Sequence, residues 1–210
     1  MSVLNRLASS QGRRDDIPNQ QLAKELAQAR DKQGVREIAE HLADDHPRVR
    51  SDCIKVLYEI GYLDPALIAG YTDRFLETLD SKDNRLVWGG MIALSTVAAL
   101  AAKDLYTHRR EIMRAIDKGS VITQDNGIKT LTLIASSKSA RQEDVFPYLL
   151  RHLSTCRPKD VAQRSEMTLA AVTSRNKGAF IRVLEQRLGD LSSSQQSRVK
   201  RVLKAAEGRA

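Results

Sequence analysis

The sequence is poor in cysteine, aromatic residues, proline and glycine, and each shortage excludes a class of protein. Two cysteines, Cys53 and Cys156, are too few for the disulfide framework of a small secreted protein. We interpret both as small buried hydrophobic residues, with a disulfide between them as the alternative. Aromatic residues make up 4% of the chain, which indicates a core of Leu, Ile, Val and Ala. Glycine and proline together number 16, too few for an extended disordered protein.

The usual signatures of catalysis are also missing. The histidines show no metal-ligand spacing and are expected at helix surfaces or in loops; they are His41, His46, His108 and His152. No glycine-rich phosphate-binding loop occurs, since Gly89 and Gly90 lie within a helical pattern. We therefore expect no enzyme activity, no metal and no cofactor.

Two further absences concern location. Residues 1–10 contain one basic residue and no sustained apolar core, so we expect no secretory signal and a reducing cytoplasm. One uncharged run, residues 86–102, has 17 residues, close to the ~17–25 that a membrane span needs. It is rich in small residues, it has no second counterpart, and the mean hydropathy of the chain is -0.40. We interpret it as a buried helix and expect no membrane contact.

This uncharged run is one copy of a repeat with a period of 37 residues. The apolar positions that recur are Ile54, Leu57 and Ile60, then Met91, Leu94 and Val97, then Ile128, Leu131 and Ile134, and finally, one residue out of phase, Leu169 and Val172 behind Glu166. Such self-similarity is typical of solenoids, in which stacked units share a continuous core. The fold class predicted is all-α, an α-α superhelix of about five helix pairs.

The chain begins with a polar segment, residues 1–16, which contains SSQGRRDD and is expected to be mobile. Order should begin with Pro18 in the first turn of a capping helix, where its missing N–H costs nothing. Residues 17–210 are predicted to form a single repeat domain.

Residues 35–61, VREIAEHLADDHPRVRSDCIKVLYEIG, resemble the HEAT repeat: a helix, an Asp-containing turn, a Val-Arg pair and a second helix that ends in Gly. The resemblance extends over roughly residues 31–207, although Val87, Gln124 and Ala162 stand where Arg50 stands in the first copy. Membership of the HEAT repeat family implies antiparallel helix pairs in a curved superhelix whose concave side is lined by the second helices. It implies binding far more often than catalysis.

Charge is distributed unevenly along the chain, whose formal net charge is +8. Residues 1–105 hold 14 Lys and Arg against 16 Asp and Glu, whereas residues 106–210 hold 20 against 10. A basic half favours an acidic partner, because a positive field raises both encounter rate and affinity. The alternative is a solvated basic face that only maintains solubility.

The repeat register predicts which side chains face away from the core, given a turn of 100° per residue. The candidates for the concave face are Lys55, Trp88, Ile92, Asp125, Lys129 and Arg164, and those for a basic surface are Arg109, Arg110, Arg198, Arg201 and Lys204. Trp88, the only tryptophan, could stack on a base or on a partner side chain. The alternative is that it packs between helices, as large apolar residues usually do.

Two functions follow from these patterns. The first is a non-catalytic binding scaffold that holds an acidic macromolecule, most often a protein. The second is a nucleic-acid-binding module, because HEAT-like alkylpurine DNA glycosylases resemble short basic solenoids of this length with aromatic, Asp and Arg residues in the cleft. Trp88, Asp125 and Arg164 match that pattern only as residue types, and Ile92 stands one turn after Trp88 where an acid would be needed. We favour the scaffold.

Overall fold

The computed structural model describes residues 2–209, apart from the side chains of residues 139 and 140. Within that range the chain is helical and contains no strand, so the all-α prediction is confirmed. The α-helices are α1 (Ile17–Ala29), α2 (Lys32–Glu40), α3 (Pro47–Leu63), α4 (Thr72–Glu77), α5 (Asn84–Val97), α6 (Ala102–Thr107), α7 (Arg109–Lys118), α8 (Val121–Ser137), α9 (Ser139–Thr155), α10 (Pro158–Thr168), α11 (Lys177–Arg187) and α12 (Ser193–Glu207).

The chain divides into two compact units, residues 1–127 and residues 128–210, and the boundary falls within α8. In the first unit, α3 packs against both α1 and α5. In the second unit, α12 packs against α10 and α11, and α11 also packs against α9. The prediction of one continuous domain over residues 17–210 stays a prediction.

The repeat triplets form the core, as their spacing predicts. In the first unit Ile54, Leu57, Ile60, Leu94 and Val97 are buried, and in the second unit Leu131, Ile134 and Val172 are buried. Leu169 is the exception and is half-buried. It lies just beyond the end of α10, where the backbone tightens into a 3₁₀ turn, Leu169–Ala171, and leaves the α-helical register.

A glycine allows α3 and α5 to approach each other closely. A Cβ atom added to Gly89 would lie 2.8 Å from Cγ1 of Ile54. The side of α5 that carries Gly89 therefore faces α3 rather than solvent. The repeat register groups Gly89 with the outward-facing positions Trp88 and Ile92. The outward face that it predicts for α5 is therefore wrong by part of a helical turn.

In the second and third helix pairs, the first helix is expected between α3 and α5 and between α5 and α8. Both stretches are broken into shorter segments. The stretch after Asp64 comprises 3₁₀ turns at Pro65–Leu67 and Ala69–Tyr71, followed by the short helix α4. The stretch after Asp104 is divided between α6 and α7 at His108. Each of these repeats thus has more than the two helices of a helix pair, and the described residues contain twelve α-helices rather than the ten of five pairs.

The N-terminal segment contacts α1 and α3 through Ala8 and Ser9, and the expectation that residues 1–16 are mobile stays a prediction. Leu7 is fully buried. The backbone N–H of Ser9 donates to Asp52 Oδ2 at 2.7 Å, and Asn19 Nδ2 donates to Asp52 Oδ1 at 2.7 Å. Asn19 in turn accepts a hydrogen bond from the N–H of Ala8. A buried carboxylate on α3 therefore holds the segment through long-range hydrogen bonds that local sequence does not reveal.

Both cysteines are buried free thiols, as their interpretation as hydrophobic residues predicts. Burial raises the pKa of each thiol, which disfavours the reactive thiolate. Among the described helices, none combines the length and apolar character that crossing a bilayer would take.

Candidate ligand-binding surface

Three aromatic side chains of the first unit, Tyr58, Tyr62 and Trp88, form what we call the aromatic cluster. The Tyr58 ring centroid lies 6.0 Å from that of Trp88 and 6.1 Å from that of Tyr62, with the two tyrosines edge to face. Such geometries are favourable for aromatic pairs. Tyr58 is buried, Trp88 is half-buried, and Tyr62 is 55% exposed. The cluster therefore reaches from the core of the unit to solvent.

Lys55 lies beside the aromatic cluster in a network of charges. Its Nζ is 2.7 Å from Glu59 Oε1, 3.6 Å from Asp16 Oδ2 and 4.9 Å from the Tyr58 ring centroid. Burial by itself would lower the pKa of this ammonium group, but Glu59 and Tyr58 stabilise the charged form and raise the pKa above its ordinary value. Lys55 thus stays a cation next to an aromatic surface.

The first turns of α8 add polar groups to the same unit. Ser95 Oγ donates to Asn126 Oδ1 at 3.1 Å, and Asn126 Nδ2 donates to the carbonyl oxygen of Ile122 at 2.9 Å. Asp125 is half-buried beside it. These bonds fix the orientation of the Asn126 amide.

Two predicted surface residues are buried, and their assignment to an exposed face is wrong. Ile92 is 7% exposed and Arg164 is 1% exposed. Arg164 corresponds in the repeat to Asp52 and Gly89, which are also buried. This repeat position faces a neighbouring element and not open solvent.

Arg164 is instead part of a buried polar network in the second unit. Its Nη1 donates to His152 Nε2 at 2.6 Å, and its Nη2 lies 3.6 Å from Asp160 Oδ2. Because a guanidinium group can only donate, His152 must accept at Nε2 and carry its proton on Nδ1. This network holds the Arg164 side chain inside the second unit, so its role there is structural.

The remaining candidates differ in how free their side chains are. Arg109 donates to the carbonyl oxygen of Tyr106 and covers its ring at 4.3 Å. Arg198 forms a two-pronged ion pair with Glu166, at 2.9 and 2.6 Å. Arg110, Arg201 and Lys204 are exposed, and Lys129, in the second unit, is half-buried. Their predicted roles in binding stay predictions.

Comparison with solved structures identifies the architecture. An engineered protein of the Northeast Structural Genomics Consortium is similar over 97% of this chain and 95% of its own, with a TM-score of 0.69 and 18% identity. A designed armadillo repeat protein in complex with the peptide (KR)4 is similar over 89% of this chain and 86% of its own, with a TM-score of 0.70 and 13% identity. The chain has the fold of an armadillo-type α-solenoid.

A further designed armadillo repeat protein, made for modular peptide recognition, is similar over 97% of this chain and 98% of its own, with a TM-score of 0.67 and 14% identity. No protein-family model and no curated protein matches the sequence. At these identities the comparison with solved structures shows the fold alone. It supports a helical-repeat solenoid without showing the HEAT family or a relation to DNA glycosylases.

The sequence contained a signal for the tyrosines of the aromatic cluster that the repeat register did not use. Tyr58 and Tyr62 are four residues apart on α3, so they lie on one helix face, and Tyr58 is three residues from Lys55. The partnership of Tyr58 with Trp88 joins α3 to α5 and has no local signal. Among the described residues, no three His, Cys, Asp or Glu side chains are close enough to share a metal ion.

Proposed function

We propose that this protein is a non-catalytic scaffold that binds an extended segment of a partner protein along the aromatic cluster of its first unit. The observation that carries the proposal is the cluster itself, in which a half-buried Trp88 and an exposed Tyr62 share the buried Tyr58 as a base. Aromatic residues anchored in this way are enriched in protein interfaces, because they bury much area at little cost in side-chain entropy.

The polar groups beside the cluster suit a polypeptide ligand. The ion pair of Lys55 with Glu59 supplies both a donor and acceptors next to the Tyr58 ring. The similar designed proteins include one made for peptide recognition and one with a bound peptide. The peptide in the latter is basic, whereas the net charge of +8 here favours an acidic partner met in a reducing cytoplasm.

Replacement of Trp88 should weaken binding much more than it weakens the fold. The test begins with a random-peptide display library, selected on the wild-type protein, and measures the affinity of the selected peptides. Trp88→Ala should lower affinity by ~2 kcal/mol or more, about thirtyfold, as loss of an interface anchor does. Tyr62→Ala removes an exposed ring, so it should weaken binding without changing the melting temperature.

Tyr106→Ala, outside the cluster, is the control and should leave affinity unchanged. The emission of Trp88 gives a second readout, because the protein has one tryptophan: acrylamide should quench it less in the complex than in the free protein. If peptides bind wild type and both cluster variants equally well, the cluster is not the binding site and the proposal fails.

The charge of the second unit favours a second candidate function, nucleic-acid binding. Residues 128–210 contain 16 Lys and Arg against 7 Asp and Glu, and Lys200, Arg201 and Lys204 are exposed on α12. On this hypothesis, random duplex DNA should show a mobility shift at micromolar protein that weakens steeply with salt, because bound phosphates release counterions. Arg201→Gln should reduce the salt slope by about 1. Absence of a shift at low salt eliminates this candidate.

A further inference from the structure

A cavity of about 230 Å³ in the first unit is lined by an unusual number of arginines. It is bounded by the N-terminal segment and by the first turns of α3 and α5, and the four arginines in its wall are Arg13, Arg14, Arg48 and Arg85. We call it the arginine cavity. Ser9 and Asp52 also line the cavity, and the hydrogen bonds that Asp52 accepts from Ser9 and Asn19 hold this part of the wall in place.

Three of the four arginines have no anionic partner. Arg13 pairs with both carboxylate oxygens of Asp15, each at 2.9 Å. Over residues 2–209, no hydrogen bond or ion pair involves the side chains of Arg14, Arg48 and Arg85. Unpaired guanidinium groups around one cavity repel each other, and a bound anion would relieve that repulsion.

The three carboxylates in the wall are each engaged by other groups of the fold. Asp15 is held by Arg13, whose hydrogen bond lowers the pKa of this carboxyl group. Asp16 lies 3.6 Å from Lys55 Nζ, and both oxygens of Asp52 accept hydrogen bonds from the N-terminal segment and α1. Four guanidinium groups against three carboxylates leave the wall with one excess positive charge.

The N-terminus of α3 adds to the positive potential. Pro47 and Arg48 are its first residues, no side chain caps it, and the first amides of a helix have no carbonyl partner within it. The N-terminus of α5, by contrast, is already capped by Asp83, which accepts a hydrogen bond from the N–H of Arg85. The partial positive charge at the N-terminus of α3 favours an anion there.

We propose that the arginine cavity binds a phosphate monoester group carried by a serine or threonine of the partner segment. A phosphate monoester has a charge of about −1.5 to −2 at pH 7 and three acceptor oxygens, which three guanidinium groups can share. A carboxylate offers only two acceptor oxygens, so it can engage fewer of these guanidinium groups.

The placement on a polypeptide rests on the proposed function, since the cavity adjoins the aromatic cluster. Asp16 lines the cavity and contacts Lys55, which covers the Tyr58 ring. Arg85 precedes Trp88 by three residues, about 4.5 Å along the axis of α5. A segment bound on the cluster can therefore place a neighbouring side chain in the cavity.

The proposal is tested on the full chain with two probes at constant ionic strength: inorganic phosphate, and a random peptide pool with one fixed phosphoserine, compared with the same pool carrying serine. Phosphorylation should strengthen binding of the pool. Arg48→Gln and Arg85→Gln should each remove about tenfold of that gain, because each loses a charge-assisted hydrogen bond. Neither side chain has a partner in the fold, so melting temperatures should not change.

Arg36→Gln, an exposed arginine on α2 with the same loss of charge, is the matched control and should retain the gain. If inorganic phosphate binds as tightly as the phosphorylated pool and depends on the same arginines, the cavity takes free phosphate, and the placement on a polypeptide is overturned. If neither probe binds, or if Arg36→Gln has the same effect as Arg48→Gln, the cavity is not a phosphate site. Binding of unphosphorylated peptides that still depends on Trp88 would then leave the proposed function standing.

Discussion

Leu94→Ala is expected to lower the free energy of unfolding of the first unit by about 2–5 kcal/mol, because it removes a fully buried side chain and leaves a cavity that the neighbouring helices fill only in part. Urea denaturation followed by circular dichroism measures the change. Two compact units can unfold in separate transitions, so the fluorescence of Trp88, which lies on the same helix, should be followed in parallel.

Leu100→Ala provides the control for this prediction. Leu100 follows α5 and is 60% exposed, so the same loss of atoms should change stability by less than about 0.5 kcal/mol. Equal effects of the two substitutions would show that the repeat register does not describe the core.

Arg187→Ala is expected to destabilise the second unit by about 2–4 kcal/mol, because two buried carbonyl groups lose their donor. Arg187 Nη1 donates to the carbonyl oxygen of Leu153 at 2.7 Å and Nη2 donates to that of Cys156 at 2.8 Å. Both carbonyl groups lie at the C-terminal end of α9, where no further turn of helix supplies an amide, and where a cation is also favoured by the helix dipole. Arg187 Nε donates to Asp190 Oδ2, and this bond fixes the orientation of the guanidinium plane.

Thermal and urea unfolding of Arg187→Ala, Arg187→Lys and Arg182→Ala measure this effect. Lysine keeps the charge but lacks the planar fork that reaches two carbonyl groups, so Arg187→Lys should recover only part of the loss. Arg182 is exposed on the same helix, and its replacement should have little effect. A fully stable Arg187→Lys protein would show that charge alone, rather than the paired hydrogen bonds, supports the end of α9.

The two units use arginine for different purposes. In the second unit Arg164 and Arg187 are buried and fully engaged with acceptors of the fold. In the first unit Arg48 and Arg85 are exposed residues that line a cavity, and they have no acceptor among the described residues. Net charge counts all four alike, so the basic balance of the chain does not by itself locate a binding surface. The contacts of each guanidinium group distinguish structural arginines from those available to a ligand.

Sequence periodicity was sufficient to determine the helical class and most of the core. Leu57, Leu94 and Leu131 recur at intervals of 37 residues, which predicts three equivalent helices that each bury the same face. All three leucines are buried. The pattern was less informative where helices end. Leu169 falls in a 3₁₀ turn, and the breaks at Thr72 and His108 interrupt stretches whose apolar spacing suits a single helix.

Only the tertiary structure decided which outward positions meet solvent. A side chain that points away from its own core can still face the next helix, and periodicity within one helix contains no information about that neighbour. Ile92 and Arg164 are buried for this reason, whereas Tyr62 is exposed. The same holds for the N-terminal segment: its polar composition gives no sign of its contacts, but Asp52, which lies 43 residues beyond Ser9, accepts a hydrogen bond from the backbone N–H of Ser9. Hydrogen bonds between residues so distant in sequence depend on the packing of α1 against α3, and that packing exists only in the folded chain.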